Sequence, residues 1–510
     1  MDNNKNELLM AIDLGTSTLK VAVFDLKGNE VAFETTEYDL FTSPNGIVEN
    51  NVVIYWEELV KLINKILYNN PTINPAKIIA LGTSSQGETI VPIDKEGKPL
   101  RNAIVWLDGR SIKEAEDIAN RFDTKSLFKI TGLPTSEPSW PAARISWIRK
   151  NEPDIFSKTY KFLLLEDYII YMLTGNFFGE ASVYSTSYYY DIVEFKFIES
   201  MLNYLDIDEE KLPEVKAPGT FVGNITKEAS KKTGLETKTK VVIGAMDQIC
   251  GAIGAGNVEK GQVTETTGTA FAMVITMGKP IFDNFTKLPC APHAIPGLYT
   301  VMPYSMTGGM VLKWFKDNFC QNEVDVSQKN NLSIYGLLDR LAEEVPPGSE
   351  GLLMLPHLAG AYFPEYNPKA RGVYFGIGLN HSKGHFIRAI MEALGYMMRR
   401  DLEAVYNLGT EVKRVVSTGG GAKSALWGQI KADICGIKIE VPNYTETALL
   451  GAAILAAKGI NIFSSIEGVA ENFVKIGRIF LPNNCRKHKE VYNKSYKKYI
   501  ELYNSVSELF

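Results

Sequence analysis

Residues 8–31 read LLMAIDLGTSTLKVAVFDLKGNEV, and this stretch decides the fold. Leu8 to Ile12 form an apolar run that is long enough for a buried strand and too short for a stable helix. A turn of glycine and hydroxyl residues follows from Asp13 to Thr18. Leu19 to Asp25 then predict a second strand, and Lys27 to Asn29 predict a hairpin turn into a third. We therefore expect consecutive hairpins at the start of an α/β sheet.

The turn between the first two strands has the composition of a phosphate-binding turn. Gly15 lets the main chain approach a ligand closely, and the hydroxyl groups of Thr16 and Ser17 can bind phosphate oxygens together with exposed N–H groups. Asp13 at the strand end can hold a hydrated Mg²⁺, the usual companion of nucleotide phosphates. Lys20 can add a positive charge against the phosphates. The alternative is an ordinary hairpin in which glycine and threonine only make the turn.

The composition predicts a soluble globular enzyme with more than one domain. The chain has 510 residues, of which 45% are hydrophobic and 22% charged, and a net charge of -5. It lacks the basic surface typical of a protein that binds nucleic acid. Its cysteines are scattered without CxxC spacing, which suits reduced thiols and no zinc site. The polar N-terminus and the lack of a membrane-length apolar segment predict a cytoplasmic chain without a membrane partner.

Polar side chains collect after two further predicted strands in the first half of the chain. Lys77 to Gly82 predict a buried strand that ends in a loop containing Gln86 and Glu88, and Ala103 to Trp106 predict another short strand. An open α/β sheet binds its ligand at the carboxyl ends of its strands, so these loops are candidate ligand contacts. Solvated loop residues are the alternative for Gln86 and Glu88, and a core position is the commoner role for Trp106.

The pattern starts again near Val241 with the residues VVIGAMDQICGAIGAG. They predict a strand, a tight turn and a helix that begins with Asp247 and Gln248. Aspartate is a good N-cap, which is the plain explanation for this acid. The segment from Ile243 to Ala245 is so small that we expect a bulky group to dock there.

A second hairpin of the same kind follows this helix. Gln262 to Thr266 and Ala270 to Thr276 predict strands that flank the turn Thr267-Gly268-Thr269. This echo of the first hairpin makes a weak internal duplication plausible, with one phosphate-binding turn in each half. We accordingly predict two domains, residues 1–250 and 251–510.

A third glycine turn, Gly419-Gly420-Gly421, follows a strand that begins at Val415. It precedes a predicted helix from Ala425 to Cys435, so a phosphate or a flat ring can lie against the main chain at the helix N-terminus. A glycine-rich turn without function is the alternative. Glu446 to Ala457 predict a small-residue helix packed behind this turn, and Gly459 to Phe510 predict a charged amphipathic tail.

The order of these turns resembles that of the FGGY family of carbohydrate kinases, in the superfamily of actin-like and hexokinase-like ATPases. No stretch fits G-x-x-x-x-G-K-[ST], so a P-loop protein is excluded. The phosphate motifs of the family resemble residues 13–17 and 267–269, and its adenosine motif resembles residues 419–422 with the helix through Ser424. One family signature resembles Ser139 to Asn151, with Arg144 where lysine is usual, and another resembles residues 372–392.

The resemblance implies an α/β fold of two actin-like, ribonuclease H-like ATPase domains with a deep cleft between them. It implies ATP and Mg²⁺ as cofactors, Asp247 as the catalytic base and Asp13 as the metal ligand, through water. Many relatives are dimers, so a homodimer is one assembly that it implies. The residues that we assign to ATP binding are Gly15, Thr16, Ser17, Lys20, Thr267, Gly268, Thr269, Gly420, Gly421 and Ser424.

The candidate substrate contacts form a polar set that suits a polyhydroxyl compound. They are Gln86, Glu88, Trp106, Asp247 and Gln248. The expected reaction is ATP-dependent phosphorylation of a hydroxyl of a small open-chain ketopentose such as xylulose. A kinase for glycerol or an erythritol-type polyol, and a gluconokinase, are the alternatives. Glycerol kinases usually have arginine where Gly87 stands, whereas Gln248 resembles the glycerol and polyol enzymes; the lack of clustered Arg and Lys argues against gluconate.

A hypothesis of another class is a non-catalytic nucleotide switch on the same fold, either an actin-like filament protein or a sugar-sensing regulator. No DNA-binding helix-turn-helix precedes the first hairpin, and a regulator would not need Asp247. The enzyme is therefore the favoured interpretation.

Overall fold

The first hairpin forms as predicted, and a sheet is built outward from it. In the computed structural model, which describes residues 7–285 and 287–510, Leu8–Leu14 (β1) and Thr18–Asp25 (β2) pair antiparallel across the Gly15 turn. Glu30–Glu37 (β3) pairs with the outer side of β2. Nearly every residue of β1 is buried, because the sheet is covered on both faces.

The remaining strands follow in chain order. They are β4 (Phe41–Thr42), β5 (Val48–Asn50), β6 (Ile78–Ser85), β7 (Ile90–Ile93), β8 (Ala103–Ile104), β9 (Lys161–Leu164), β10 (Phe178–Glu180), β11 (Tyr190–Asp191), β12 (Lys196–Phe197), β13 (Glu214–Lys216), β14 (Phe221–Asn224), β15 (Lys240–Met246), β16 (Gln262–Thr267), β17 (Phe271–Met277), β18 (Cys290–Pro292), β19 (Tyr299–Val301), β20 (Tyr304–Ser305), β21 (Leu353–Leu355), β22 (Val373–Phe375), β23 (Arg414–Thr418), β24 (Ile439–Pro442) and β25 (Ile476–Phe480).

The helices are also given in chain order. They are α1 (Val52–Asn69), α2 (Ile112–Arg121), α3 (Thr124–Thr131), α4 (Pro141–Asn151), α5 (Pro153–Lys158), α6 (Leu165–Thr174), α7 (Ala181–Tyr184), α8 (Glu199–Leu205), α9 (Lys227–Thr233), α10 (Asp247–Gly254), α11 (Met310–Phe319), α12 (Gln321–Asn330), α13 (Ile334–Glu343), α14 (Lys383–Asn407), α15 (Ala425–Cys435), α16 (Thr447–Gly459), α17 (Ile466–Phe473) and α18 (Arg486–Val506). Within the described ranges, no helix is both long and apolar enough to cross a membrane.

The chain divides into two compact units, and unit 1 comprises Met1–Glu259, Thr276–Val301 and Glu446–Val474. Its main sheet has six strands in the order β14-β15-β6-β1-β2-β3, in which β1, β6 and β15 run parallel. Parallel strands point their carboxyl ends the same way, so the segments that follow these strands leave the sheet at one edge. A second sheet, β4-β5-β8-β7-β9, carries the loop that follows β8.

Unit 2 comprises Lys260–Ile275, Met302–Thr445 and Lys475–Phe510. Its sheet includes the order β17-β16-β23-β24-β25, with β20 beside β17. As in unit 1, the first strand of a glycine hairpin pairs antiparallel with its hairpin partner and parallel with a strand that comes later in the chain. This repeated pairing supports an internal duplication. The division into residues 1–250 and 251–510 stays a prediction, because the compact units are not continuous in the chain.

Helix α16 packs in unit 1 against α10 and β6. Glycines make this contact close: a Cβ on Gly254 would lie 1.9 Å from the carbonyl oxygen of Thr447, and one on Gly451 would lie 1.9 Å from that of Cys250. The prediction that this helix packs behind the triple-glycine turn is therefore wrong. Its small residues serve a helix–helix contact that spacing in the sequence does not identify.

The small segment at the end of β15 also has a structural explanation. A Cβ on Gly244 would lie 1.4 Å from the carbonyl oxygen of Thr83, where the pairing of β15 with β6 is irregular. The neighbouring strand therefore occupies the space, and the expectation that a bulky group docks there is wrong.

The predicted C-terminal tail is divided between the two units, since residues 459–474 belong to unit 1 and Lys475–Phe510 belong to unit 2. Strand β25 pairs antiparallel with β24, and α18 buries Tyr492, Tyr499 and Tyr503 on one face. The charged residues on the other face of α18 account for the amphipathic pattern in the sequence.

Candidate active site

Neighbouring strands of unit 1 bring polar residues to the same edge of the sheet. The strand register pairs Lys20 with Asp13, Asp13 with Ser84, and Ser84 with Ala245. Asp247 follows β15 as the first residue of α10. One sheet therefore positions both predicted acids. Asp13 lies near the carboxyl end of β1, and Asp247 follows directly after β15.

Asp13 is a buried carboxylate with few donors around it. The Ser84 hydroxyl donates to its Oδ1 at 2.8 Å, and Lys20 Nζ lies 3.9 Å from its Oδ2. Burial raises the pKa of Asp13, and the Lys20 charge and the Ser84 hydrogen bond offset part of that rise. The carboxylate therefore sits where an additional cation would stabilise its charged form.

Lys20 is held by an acid that the sequence analysis missed. Its Nζ donates to Glu446 Oε2 at 2.7 Å, and Glu446 immediately precedes α16. Burial alone would lower the pKa of Lys20, but the hydrogen bond to Glu446 and the nearby charges of Asp13 and Asp247 raise it above its ordinary value. The sequence indicated Glu446 only as an acid just before a small-residue helix. Its partner, Lys20, lies 426 positions away in the chain.

Asp247 has the environment of a proton acceptor that works near neutral pH. The side chain is half-buried, and burial with the charges of Asp13 and Glu88 raises its pKa to about 7. The N–H of Gln248 donates to Asp247 Oδ1 at 2.6 Å, while the Gln248 side chain is exposed. Met246 occupies the N-cap position, so the plain N-cap explanation for Asp247 is wrong.

The loop after β6 carries two of the predicted substrate contacts. Gln86 is buried, and its Nε2 donates to the carbonyl oxygen of Gly15 at 3.2 Å, which ties the loop to the phosphate turn. Glu88 has a left-handed backbone with φ 59°, a conformation that is uncommon for a glutamate. Burial raises the pKa of Glu88 to about 7, against the hydrogen bond from Thr186 and the charge of Arg144.

Trp106 links the loop after β8 to the same phosphate turn. Its indole Nε1 donates to the hydroxyl of Thr16 at 2.7 Å, and its ring is half-buried. The Tyr38 hydroxyl donates to the carbonyl oxygen of Gly15 on the other side of the turn, and Ser17 is exposed. The turn is therefore braced by both predicted substrate loops, and a simple core role for Trp106 is wrong.

In unit 2 the second predicted phosphate turn rests on a buried ion pair. Lys431 Nζ donates to Glu265 Oε2 at 2.8 Å and to the Thr267 hydroxyl at 2.9 Å, and the hydroxyls of Thr267 and Ser417 donate to Glu265. Because the Thr267 hydroxyl has these internal partners, its main chain is the part left for a nucleotide. Thr269 is exposed at the tip of the turn.

The turn also packs on a glycine pair that the sequence analysis missed. The N–H of Gly309 donates to the carbonyl oxygen of Gly268 at 2.7 Å, and a Cβ on Gly308 would lie 2.3 Å from the carbonyl oxygen of Ala270. Adjacent glycines are the signal that was available, since only they allow such an approach of two main chains.

The triple-glycine turn lies directly against the phosphate turn of unit 2. Gly419 has φ 76°, and a Cβ there would lie 2.8 Å from the carbonyl oxygen of Thr267. Gly420 begins a short helical turn, and a Cβ on Gly421 would lie 2.6 Å from Thr267 Cγ2. Ser424 is the N-cap of α15, where its Oγ accepts from the N–H of Trp427 at 3.0 Å.

A cavity of about 290 Å³ opens beside this turn. Its lining includes Gly419, Ala422 and Asn443, together with Arg478 from β25. The Arg478 guanidinium donates to the carbonyl oxygens of Ala422 and Lys423, at 2.5 and 3.1 Å, and so braces the turn. This cavity is of a size that suits a small aromatic ligand group against glycine main chain.

The residues around Asp13 fit a hydrated magnesium ion. Mg²⁺ keeps most of its waters and needs only one or two protein carboxylates. The charge of Asp13 contributes to the raised pKa of Asp247, so a nearby cation would favour the ionised form of Asp247. In the part of the chain that the structure describes, no group of three or more His, Cys, Asp or Glu residues could hold a metal directly.

The comparison with protein families matches both halves of the chain. Residues 8–254 match the N-terminal domain of the FGGY family of carbohydrate kinases, and residues 265–460 match its C-terminal domain.

Individual relatives are similar along the whole chain. A xylulose kinase of Staphylococcus epidermidis is 29% identical over 508 residues, covering 99% of this chain and 98% of the relative. A gluconokinase of Bacillus licheniformis is also 29% identical, over 507 residues, covering 98% of this chain and 95% of the relative. Among solved structures, a xylulose kinase from Rhodospirillum rubrum has a TM-score of 0.88 at 24% identity, with 99% of both chains covered. This structural likeness shows the fold.

Proposed function

Since the chain belongs to the FGGY family of carbohydrate kinases, we propose that it transfers the γ-phosphoryl group of ATP to a hydroxyl of a small neutral open-chain sugar. A ketopentose such as xylulose is the first candidate. The family makes the chain a phosphotransferase that acts on a sugar and uses ATP. The choice of substrate and the roles of individual residues are the proposal.

One observation carries the assignment of the catalytic base. Asp247 stands at the carboxyl edge of the unit 1 sheet, and its pKa of about 7 suits proton transfer near neutral pH. As the sugar oxygen bonds to the γ-phosphorus, Asp247 accepts the hydroxyl proton. The bond between the γ-phosphorus and the β-phosphate oxygen breaks, and ADP leaves.

The other residues position and neutralise charge. The hydroxyl groups and N–H groups at Thr16 and Ser17 bind phosphate oxygens in unit 1, and Gly268 and Thr269 do the same in unit 2. Lys20 adds a positive charge once phosphate competes for the hydrogen bond that it makes with Glu446.

Asp13 would hold the Mg²⁺ ion through water. When bound, the ion neutralises phosphate charge. Asp13 is kept in place for this by the hydrogen bond from Ser84. Its raised pKa means that an added cation favours the ionised carboxylate.

The charges in unit 1 favour a neutral substrate over a sugar acid. The guanidinium of Arg110 donates to Asp108 and Glu49, and Lys20 donates to Glu446. Arg144 donates to main-chain carbonyl oxygens. These cations are already paired, while Glu88 and Asp247 would repel a carboxylate. A polyol is also uncharged, so the same argument applies to it. A polyol kinase is therefore the second candidate.

A screen of ADP release tests the proposal. Wild-type protein with ATP and Mg²⁺ is assayed against xylulose, ribulose, glycerol, erythritol and gluconate. We expect a neutral sugar to exceed gluconate in kcat/KM on the order of 10²-fold, because like charges brought together cost several kcal/mol. Gluconate as the best substrate would contradict the neutral-substrate proposal. Sugar-independent nucleotide binding without turnover of any compound would favour the nucleotide switch.

We also propose a cytoplasmic location, a homodimer and no nucleic-acid partner, on the basis of the composition and of the resemblance.

A further inference from the structure

Arg144 is a fully buried cation in unit 1 whose role lies outside the phosphate chemistry. It belongs to α4, and none of its surface is exposed. Its guanidinium donates to main-chain carbonyl oxygens rather than to a carboxylate. The Nη1 atom donates to Glu88 at 2.7 Å and to Ile104 at 3.4 Å; the Nη2 atom donates to Trp106 at 2.8 Å and to Asp108 at 3.4 Å.

Three of these acceptors belong to two different loops, and Ile104 is the last residue of β8. Glu88 lies in the loop after β6, and Trp106 and Asp108 lie in the loop after β8. The two nitrogens of one planar group therefore set the spacing between the loops. A lysine has a single nitrogen and cannot reproduce this fork.

The bond to Glu88 acts on a strained residue. A left-handed backbone at a glutamate persists only where the surroundings hold it, and the carbonyl oxygen of Glu88 is the acceptor of the shortest hydrogen bond that Arg144 makes. This conformation decides the direction in which the Glu88 side chain leaves the loop. On the other loop, the same guanidinium holds the main chain of Trp106, whose indole reaches Thr16 of the phosphate turn.

We propose that Arg144 is a positioning residue that sets the orientation of Glu88 relative to Trp106 and thereby controls the affinity and selectivity of the kinase for its sugar. The inference rests on the proposed function in that Glu88 and Trp106 are its substrate contacts. Arg144 itself touches no substrate, because it is fully buried and both of its terminal nitrogens donate to main-chain carbonyl oxygens.

The test compares Arg144→Lys with Arg149→Lys. Arg149 is the matched control, since it lies on the same helix and makes one bond, to the carbonyl oxygen of Tyr204 at 2.7 Å. The kinetic arm uses xylulose, or whichever sugar the wild-type protein phosphorylates. We expect Arg144→Lys to raise the KM for the sugar about tenfold to hundredfold and to reduce the preference between sugars that differ at one hydroxyl. The KM for ATP should rise much less than the KM for the sugar, because Arg144 reaches Thr16 only through Trp106. Arg149→Lys should leave every parameter unchanged.

A double variant separates positioning from general destabilisation. If Arg144 acts through Glu88, the effect of Arg144→Lys on the sugar KM should shrink when Glu88→Gln is already present. Equal losses in the two backgrounds, or parallel rises in the KM for sugar and for ATP, would overturn the proposal.

Hydrogen exchange of residues 86–89 and 105–109 gives a readout that needs no substrate. We expect faster exchange in both loops of Arg144→Lys, with α4 unchanged. If wild-type protein phosphorylates no sugar, the proposed function fails, but this arm still decides whether Arg144 orders the loops. Unchanged exchange would overturn the inference. Arg144→Gln is the second variant, and failure of both variants to fold would assign Arg144 a purely structural role and overturn it as well.

Discussion

Each unit holds its predicted ligand loops with one fully buried cation, yet the two cations have different partners. In unit 1, Arg144 donates to neutral carbonyl oxygens of the substrate loops. In unit 2, Lys431 donates to the carboxylate of Glu265 beneath the phosphate turn. Neither Lys431 nor Glu265 has any exposed surface.

The difference shows two ways of bracing a loop. An ion pair in the interior is held together strongly, but removal of one partner leaves the other as an uncompensated charge, at a cost of about 3–5 kcal/mol. A cation on carbonyl oxygens leaves only neutral acceptors behind when it is lost, so the direct cost is lower and the main consequence is a change in loop geometry. We therefore expect losses at Lys431 to appear mainly in stability, and losses at Arg144 mainly in the recognition of the sugar.

The two units also differ in where the chemistry resides. The site in unit 1 is made of ionisable side chains, among which Asp13, Glu88 and Asp247 have raised pKa values. The nucleotide site proposed in unit 2 is made of glycine main chain, and the ion pair of Lys431 and Glu265 beneath it carries no net charge. Substitution of Asp247 in unit 1 should therefore change the chemical step, and substitutions in the glycine turns of unit 2 should change nucleotide binding.

The largest effect is expected for Asp247→Asn. Loss of the proton acceptor should reduce kcat by about 10²- to 10⁴-fold while the binding of ATP is retained. ADP release and the binding of a fluorescent ADP analogue measure the two quantities. Asp123→Asn is the control, because Asp123 is the N-cap of α3 in unit 1 and asparagine caps a helix equally well. Sugar-dependent ADP release at the wild-type rate would remove Asp247 from the mechanism.

The next effect is expected for Lys431→Met in unit 2. The uncompensated Glu265 should lower the free energy of unfolding by about 3–5 kcal/mol, as measured by denaturant titration. The KM for ATP should rise, and the KM for the sugar should not.

Two further variants sharpen this prediction. Addition of Glu265→Gln to Lys431→Met should recover much of the stability, because the orphaned charge is removed. Lys438→Met removes a partly exposed ion pair to Glu440 and should cost at most about 1 kcal/mol. An equal cost for Lys431→Met and Lys438→Met would show that burial does not distinguish the two pairs.

The smallest effect is a change of rate with pH. Asp247 must be ionised to accept a proton, so kcat/KM for the sugar should fall about tenfold per pH unit below the pKa of about 7. A profile of kcat/KM from pH 5 to 9 measures this fall on the acidic side. A flat profile down to pH 5 would contradict the raised pKa.

The same pKa has a consequence for stability, with a defined sign. Because the folded chain binds the Asp247 proton more tightly than the unfolded chain, this group's contribution to the free energy of unfolding decreases as pH rises from about 4 to about 7. Asp247→Asn should remove this pH dependence of the free energy of unfolding, together with the fall of kcat/KM at acidic pH.

Much of the fold was predictable because its signals are local. The first hairpin, helix α15 and the helix start at Asp247 follow from apolar runs, turn residues and caps within a few positions. The family match confirms the α/β fold of two actin-like, ribonuclease H-like domains and the class of enzyme. The assignment of individual site residues stays a prediction.

Errors arose where a local pattern had a distant cause. The small residues of α16 and of the segment around Gly244 indicated a docking site or a packed turn, but they are needed for contacts with α10 and with Thr83. A run of small residues shows that another group packs closely against the main chain. It does not show whether that group is a ligand or another part of the protein.

By itself, the sequence determined the strand-ending turns, the acid that opens α10 and the membership in a kinase family, because these depend on neighbours in the chain. Only the tertiary structure decided that Lys20 meets Glu446, that Lys431 meets Glu265 and that Arg144 holds two loops by their carbonyl oxygens. The physical reason is that a buried charge must find its partners wherever packing brings them, and packing joins residues that no spacing in the chain relates.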